Sequence, residues 1–164
     1  MAQTKFRNTP VTTAGELPKA GSTAPDFVLV TTDLGEANLA SFAGRKKIFN
    51  IFPSLDTGVC ATSVRQFHRR LQDKQGVVCV NVSMDLPFAH KRFCTAEGID
   101  GVADLSGFRS DFGSTWGVLM KDGPLAGLYA RAVVVVDEKN KVLHAELVSE
   151  IASEPNYDAA LAKV

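Results

Sequence analysis

Neither sign of charge is in excess in this sequence: Lys and Arg together number 18, and so do Asp and Glu. Without a positive surplus there is no field to condense on phosphates or on an anionic bilayer, so nucleic acid is not an expected partner. Long apolar runs are missing too. The opening stretch MAQTKFRNTPVTTAGELP has no basic segment followed by apolar residues, and nothing later approaches the length that spans a bilayer. The expectation is a soluble, unprocessed protein of the cytoplasm with no membrane partner. Cysteine is scarce. Three of them, with no CxxC pair, are too few and too odd in number for a secreted disulfide scaffold, and they give no zinc knuckle or CxxC dithiol. No internal repeat, low-complexity tract or linker divides the chain.

What remains is an ordinary globular composition, 45% hydrophobic and 22% charged over 164 residues, enough for one domain spanning 1–164 around one core. Residues 1–20 alternate polar and β-branched side chains around Pro10 and Gly15, the pattern of an N-terminal hairpin. Phe27 to Val30 reads as a short strand. Lys47 to Phe52 is an apolar strand that stops at Pro53, which has no N–H for a ladder. Val64, Phe67 and Leu71 then recur at helical spacing, with Thr57 placed to cap that helix. Val77 to Met84 suits a strand buried on both faces. Pro87 opens a helix that Gly98 closes near Glu97. A shorter helix over Phe108 to Trp116, strands Arg131–Val136 and Val142–Val148, and a helical tail from Glu154 to Val164 complete the order. Strand-helix-strand units followed by an antiparallel pair predict an α/β fold: a mixed sheet with helices on both faces, of the thioredoxin-like arrangement.

Cys60 falls in the first turn of the helix that follows Pro53. Unpaired N–H groups and the positive end of the macrodipole favour the thiolate there, and the thiolate is the nucleophile. Gly58 and Val59 are small enough to leave the sulfur open, and the Thr57 hydroxyl is within one turn. A free cysteine is also a good small core residue, and position alone leaves both readings open.

The segment Phe52-Pro53-Ser54-Leu55-Asp56-Thr57-Gly58-Val59-Cys60 resembles the active-site signature of the peroxiredoxins, Pro-x-x-x-Thr/Ser-x-x-Cys. Further along, Asp85-Leu86-Pro87-Phe88-Ala89, Arg92-Phe93-Cys94, Asp122-Gly123-Pro124-Leu125 and Ala130-Arg131-Ala132-Val133 resemble the bacterial thiol peroxidases, an atypical two-cysteine group of that family. The likeness runs from about Thr4 to Leu161. It implies that Cys60 is the peroxidatic cysteine, Pro53 and Thr57 its pocket partners, Arg131 the activating arginine, and Cys94 the resolving cysteine that closes an intrachain disulfide. It further implies a thioredoxin fold with the extra N-terminal hairpin, reduction of hydrogen peroxide and organic hydroperoxides, recycling by thioredoxin, and a homodimer. That chemistry calls for no cofactor and no metal. One alternative is a redox-sensing or chaperone-like binding module built on the same cysteine pair, and a second is a peroxidase that relies on an external thiol without resolution by Cys94.

Arg131 at the start of a Val-rich strand is a costly placement unless its guanidinium meets an anion, though an edge arginine in water or in a structural salt bridge reads the same way. Taken alone, Cys94 beside Phe93 fits helix packing, and Cys79 within Val77-Val78-Cys79-Val80 fits core filling. His90 and Cys94 share the spacing of a metal-binding pair, but two ligands without a partner motif make a poor site. His68 and His144 read as surface or packing histidines. Arg45-Lys46-Lys47 reads as a solvated loop ahead of a strand, and Phe88, Phe93 and Trp116 as candidates for an apolar pocket mouth, though aromatic residues at such spacings are more often ordinary core.

Overall fold

The computed structural model describes all 164 residues. Strands β1 (Gln3–Phe6) and β2 (Thr9–Thr12) form the expected hairpin. Its turn lies at Arg7 and Asn8, both with positive φ, rather than around Pro10 and Gly15. Positive φ at both central residues gives the twist that a two-residue hairpin needs, while Pro10 is accommodated inside an edge strand.

The main sheet holds β3 (Leu29–Val30), β4 (Glu36–Ala37), β5 (Lys46–Ile51), β6 (Val77–Ser83), β7 (Ala103–Ser106), β8 (Ala132–Val136) and β9 (Val142–Leu147), in the order β4-β3-β7-β6-β5-β8-β9. Helices α1 (Gly58–Leu71) and α2 (Pro87–Glu97) carry the crossovers β5 to β6 and β6 to β7, so β5, β6 and β7 run parallel, and the outer pairings are antiparallel. Pro87 occupies the start of α2 and Gly98 ends it in the left-handed region at φ 65, where a glycine carries no Cβ penalty. Helix α3 (Phe112–Thr115) and helix α4 (Tyr157–Leu161) are both shorter than expected. Over 108–110 the chain makes a turn, with Arg109 at positive φ, and α4 starts only after Pro155, at the Asn156 cap. β4, β7 and a 3-10 turn at Leu39–Phe42 were not expected from the sequence, being too short to show a period.

Pleating divides the sheet into two unlike faces. On one, Phe49 and Ile51 of β5, Val80 and Val82 of β6 and Val134 of β8 join Phe27, Leu39, Phe42, Phe112 and Trp116 in the largest apolar cluster. The other face carries Ile48, Cys79, Val133 and Val135 against Phe67 of α1 and Tyr157 and Ala160 of α4. It also carries Asn50, Asn81, Ser83 and Asp104, lying under α1 and α2. Lys47 departs from its expected solvated loop: it is a buried residue of β5 whose Nζ reaches Asp137 O at 3.1 Å and Asn140 Oδ1 at 2.8 Å. Burial lowers its ammonium below the usual lysine range, opposed by Asp137 and Glu138. No helix is long and apolar enough to cross a membrane.

Trp116 is fully buried, stacks on Phe112 with ring centroids 4.8 Å apart, and donates from its indole nitrogen to Pro25 O at 3.1 Å. Trp116→Ala is expected to lower stability by about 3–5 kcal/mol, read as a lower midpoint with an unchanged slope in denaturant unfolding.

Candidate active site

At the end of β5, Phe52 N still donates to Val82 O at 3.1 Å, and Pro53 then takes the chain out of the sheet. The turn that follows is held by Asp85, just beyond β6. Its Oδ1 accepts from Ser54 Oγ at 2.8 Å, and its Oδ2 accepts from Leu55 N at 2.8 Å and Ser83 Oγ at 2.6 Å. Thr57 is the N-cap residue of α1, in extended conformation, as expected. Its hydroxyl does not cap. The tight turn presents the Ser54 carbonyl to it, and the hydroxyl donates there at 3.1 Å, so the first N–H groups of α1 keep no side-chain partner at the cap.

Cys60 follows as the third residue of α1, with no exposed surface. Arg131, immediately before β8, is 2% exposed. Its Nε donates to Ile151 O at 2.8 Å, its Nη2 donates to Cys60 Sγ at 3.2 Å, and its Nη1 is buried with no partner. The group that the buried guanidinium meets is thus the sulfur of Cys60, which accepts its hydrogen bond.

A cavity of about 220 Å³ opens beside this pair. Pro53, Thr57, Gly58, Val59 and Arg131 line it from the sheet end and the start of α1. Phe6, Leu125 and Ile151 close it with apolar surface. The hairpin brings Phe6 there, because Lys5 pairs with the chain at Ser149 and Ile151 through backbone bonds of 3.0 and 2.8 Å.

Cys94 stands apart from the cavity. It lies on α2 in an apolar cluster that also contains Cys60, Phe52, Leu55, Val64 and Ile99. Its Sγ donates to Asp104 Oδ2 at 3.0 Å. Burial, and then the Asp104 carboxylate, push this thiol well above its ordinary range. Cys79, buried in β6, is pushed up by burial and by the same carboxylate. All three cysteines are free. His90 is buried beneath α2, its Nε2 2.9 Å from Ser83 Oγ, and burial holds it below the usual imidazole range against the pull of Asp104 and Asp85.

Of the five residues singled out from the sequence, Cys60 and Arg131 touch, Pro53 and Thr57 line the cavity with Arg131, and Cys94 shares an apolar cluster with Cys60, whose sulfur is buried behind the cavity wall rather than left open as expected. The aromatic pocket mouth is not formed by the residues expected. Trp116 packs in the core on the opposite sheet face, Phe88 is 63% exposed, and Phe93 packs on the Cys94 cluster. Phe6, Leu125 and Ile151 take that place, contributed by segments remote in sequence that show no helical or strand period toward the cavity.

Comparison with known proteins places these residues in context. The family model described as Redoxin matches residues 19–161. The chain is 51% identical to a thiol peroxidase of Corynebacterium glutamicum, over 99% of this chain and 98% of that protein. It is 52% identical to a thiol peroxidase of Mycobacterium tuberculosis with the same coverage. The crystal structure of a peroxiredoxin-like protein from Aquifex aeolicus superposes with a TM-score of 0.93 at 40% identity, covering 99% of this chain and 95% of that one.

Proposed function

Because the chain belongs to the Redoxin family, and within it is a thiol peroxidase of the peroxiredoxin type, we propose that Cys60 is its attacking sulfur and Cys94 the thiol that resolves it. One observation carries this reading: the 3.2 Å contact from Arg131 Nη2 to Cys60 Sγ, at the amino end of a 14-residue helix. The helix terminus and the guanidinium act in the same direction, toward an ionised sulfur.

In the first step the Cys60 thiolate attacks one oxygen of a hydroperoxide. An S–O bond forms, the O–O bond breaks, and the departing oxygen leaves as water or alcohol after taking a proton. Charge on that oxygen is met by Arg131, whose Nη1 has a free donor, with Thr57 and the first N–H groups of α1 on the cavity wall. In the second step the Cys60 sulfenic acid condenses with the Cys94 thiol, forming the disulfide and releasing water. Thioredoxin returns both thiols. The walls formed by Phe6, Leu125 and Ile151 support organic hydroperoxides as substrates beside hydrogen peroxide. Homodimer assembly and a cytoplasmic location belong to the same reading and rest on the family resemblance.

Each sulfur must leave its present partner, Arg131 for Cys60 and Asp104 for Cys94, before the two can join, and the first turn of α1 and the Cys94 helix are the segments expected to move. Reduced protein given one equivalent of hydroperoxide without reductant, then alkylated and digested, is expected to yield one Cys60/Cys94-linked peptide pair and free Cys79. Over-oxidised Cys60 beside a free Cys94 thiol overturns the resolving role.

A further inference from the structure

Asp104 is a half-buried acid that the peroxidase reaction does not require, and it lies in β7, a strand the sequence did not disclose. Its Oδ2 accepts from Cys94 Sγ at 3.0 Å and its Oδ1 accepts from Asn81 Nδ2 at 3.2 Å. From Asn81 the bonding continues across the sheet. Asn81 Oδ1 accepts from Asn50 Nδ2 at 3.1 Å, Asn50 Nδ2 also reaches Ser63 Oγ at 3.3 Å, and Ser63 Oγ donates to Cys60 O at 2.7 Å. One buried polar ladder therefore runs from the resolving thiol to the backbone of the peroxidatic cysteine, through β7, β6, β5 and α1. An interior ladder is an expensive way to fill a sheet face that Ile48, Cys79 and Val133 fill elsewhere with apolar surface.

We propose that Asp104 is a positioning residue for the resolving step: it clasps the Cys94 thiol to the sheet in the reduced protein, and its release governs how fast Cys94 reaches oxidised Cys60. The inference rests on Cys94 being the resolving cysteine. In that step the Cys94 S–H breaks, the S–S bond to Cys60 forms, the S–O bond of the sulfenic acid breaks, and the hydroxyl leaves with the thiol proton as water. Cys94 must give up its bond to Asp104 first, so the clasp stabilises the reduced protein and slows resolution. Two further facts agree in direction. Burial, and then the Asp104 carboxylate, favour the protonated form of the Cys94 sulfur, and once Cys94 departs, Asp104 keeps only Asn81 as a hydrogen-bond partner, with the His90 ring 4.0 Å away. The titratable groups facing this thiol are Asp104 on β7 and Cys79 on β6, and those facing Asp104 include His90 on α2, itself close to Asp85.

Asp104→Asn keeps the shape and the Asn81 contact partner while removing the charge. With hydroperoxide in a stopped-flow instrument, disulfide formation after Cys60 oxidation is expected to accelerate on the order of tenfold, as expected from the loss of a charge-assisted hydrogen bond. The disulfide should become about tenfold harder to reduce, a potential about 30 mV more negative in a two-electron couple. In a Cys60→Ser background, alkylation of Cys94 by iodoacetamide should reach its half-maximal rate at lower pH than with Asp104 present. Asp104→Ala is expected to act in the same direction and serves should the asparagine variant not fold. A merely structural role would leave the potential and the alkylation profile where they were. Slower resolution, the mark of a base rather than a clasp, overturns the proposal, as does an unchanged potential. Absence of a Cys60/Cys94 disulfide in the unsubstituted protein overturns both this inference and the resolving role it stands on, whereas a normal disulfide with unaltered kinetics in the variants overturns the clasp alone.

Discussion

Cys60→Ser protein should consume no hydroperoxide above the uncatalysed rate in an assay coupled to thioredoxin and its reductase, while unfolding at nearly the same temperature as the unsubstituted chain. Serine fills the same fully buried slot and keeps a polar atom near Arg131 Nη2, so packing changes little. The chemistry changes completely, because a hydroxyl is far too weak an acid for an arginine and a helix terminus to ionise at neutral pH, and neutral oxygen is a poor nucleophile toward peroxide. Neither remaining sulfur can substitute. Burial, and then Asp104, disfavours the anions of Cys79 and Cys94, and Cys79 lies on β6 among the apolar residues under α1 and α4. The thiols of Cys60 and Cys94 differ in their partners. Cys60 has a guanidinium donor, whereas Cys94 donates to a carboxylate that opposes its ionisation. Residual turnover in the serine variant that disappears on adding Cys94→Ser would move the nucleophile to Cys94 and overturn the assignment.

Much of this site is local, and to that extent it was legible in the sequence. A proline ending a strand, a threonine at the cap and a cysteine in the first helical turn are neighbours along the chain, so their geometry follows from β5, the turn and α1 alone. The β5-α1-β6 unit, the start and stop of α2 and the final strand pair declare themselves for the same reason: each has a period, a proline or a glycine at its boundary. Arg131 was legible as an anomaly, a cation opening a run of valines, but its partner was not, since contact with Cys60 spans 71 residues. Two parts were hidden. β7 is four residues long and alternates Ala103 and Leu105 with Asp104 and Ser106, a pattern too brief to separate from a turn, so the acid beneath Cys94 could not be foreseen. The apolar cavity wall comes from Phe6, Leu125 and Ile151, which meet only because the N-terminal hairpin docks beside the segment after β9. Trp116 takes the core role that aromatic residues at such spacings most often have, on the sheet face opposite Cys94, and not a place at the pocket mouth.

Arg131→Met is expected to slow oxidation of Cys60 by hydroperoxide on the order of 100- to 1,000-fold, the range seen when one preorganised donor to a developing oxyanion is removed. Arg131 has two tasks here that a single donor could not combine. Its Nε is tied to Ile151 O at 2.8 Å, which fixes the plane of the guanidinium, and that fixed plane sends Nη2 to the sulfur and leaves Nη1 buried and unpaired on a residue that lines the cavity. A buried donor without a partner costs stability, and an oxygen of a peroxide reaching the Arg131 side chain would supply the missing acceptor. Arg131→Lys separates charge from shape. Its ammonium restores a positive charge near Cys60 but cannot hold Ile151, the sulfur and a substrate oxygen in one rigid fork, so it should recover only part of the lost rate. Single-turnover oxidation under pseudo-first-order peroxide reads the step directly, apart from resolution by Cys94 and from the reductant. If lysine performed as well as arginine, simple charge would account for the site and the fork would have no role. If methionine did, the sulfur would be activated by the helix terminus alone, and the 3.2 Å contact would be packing rather than catalysis.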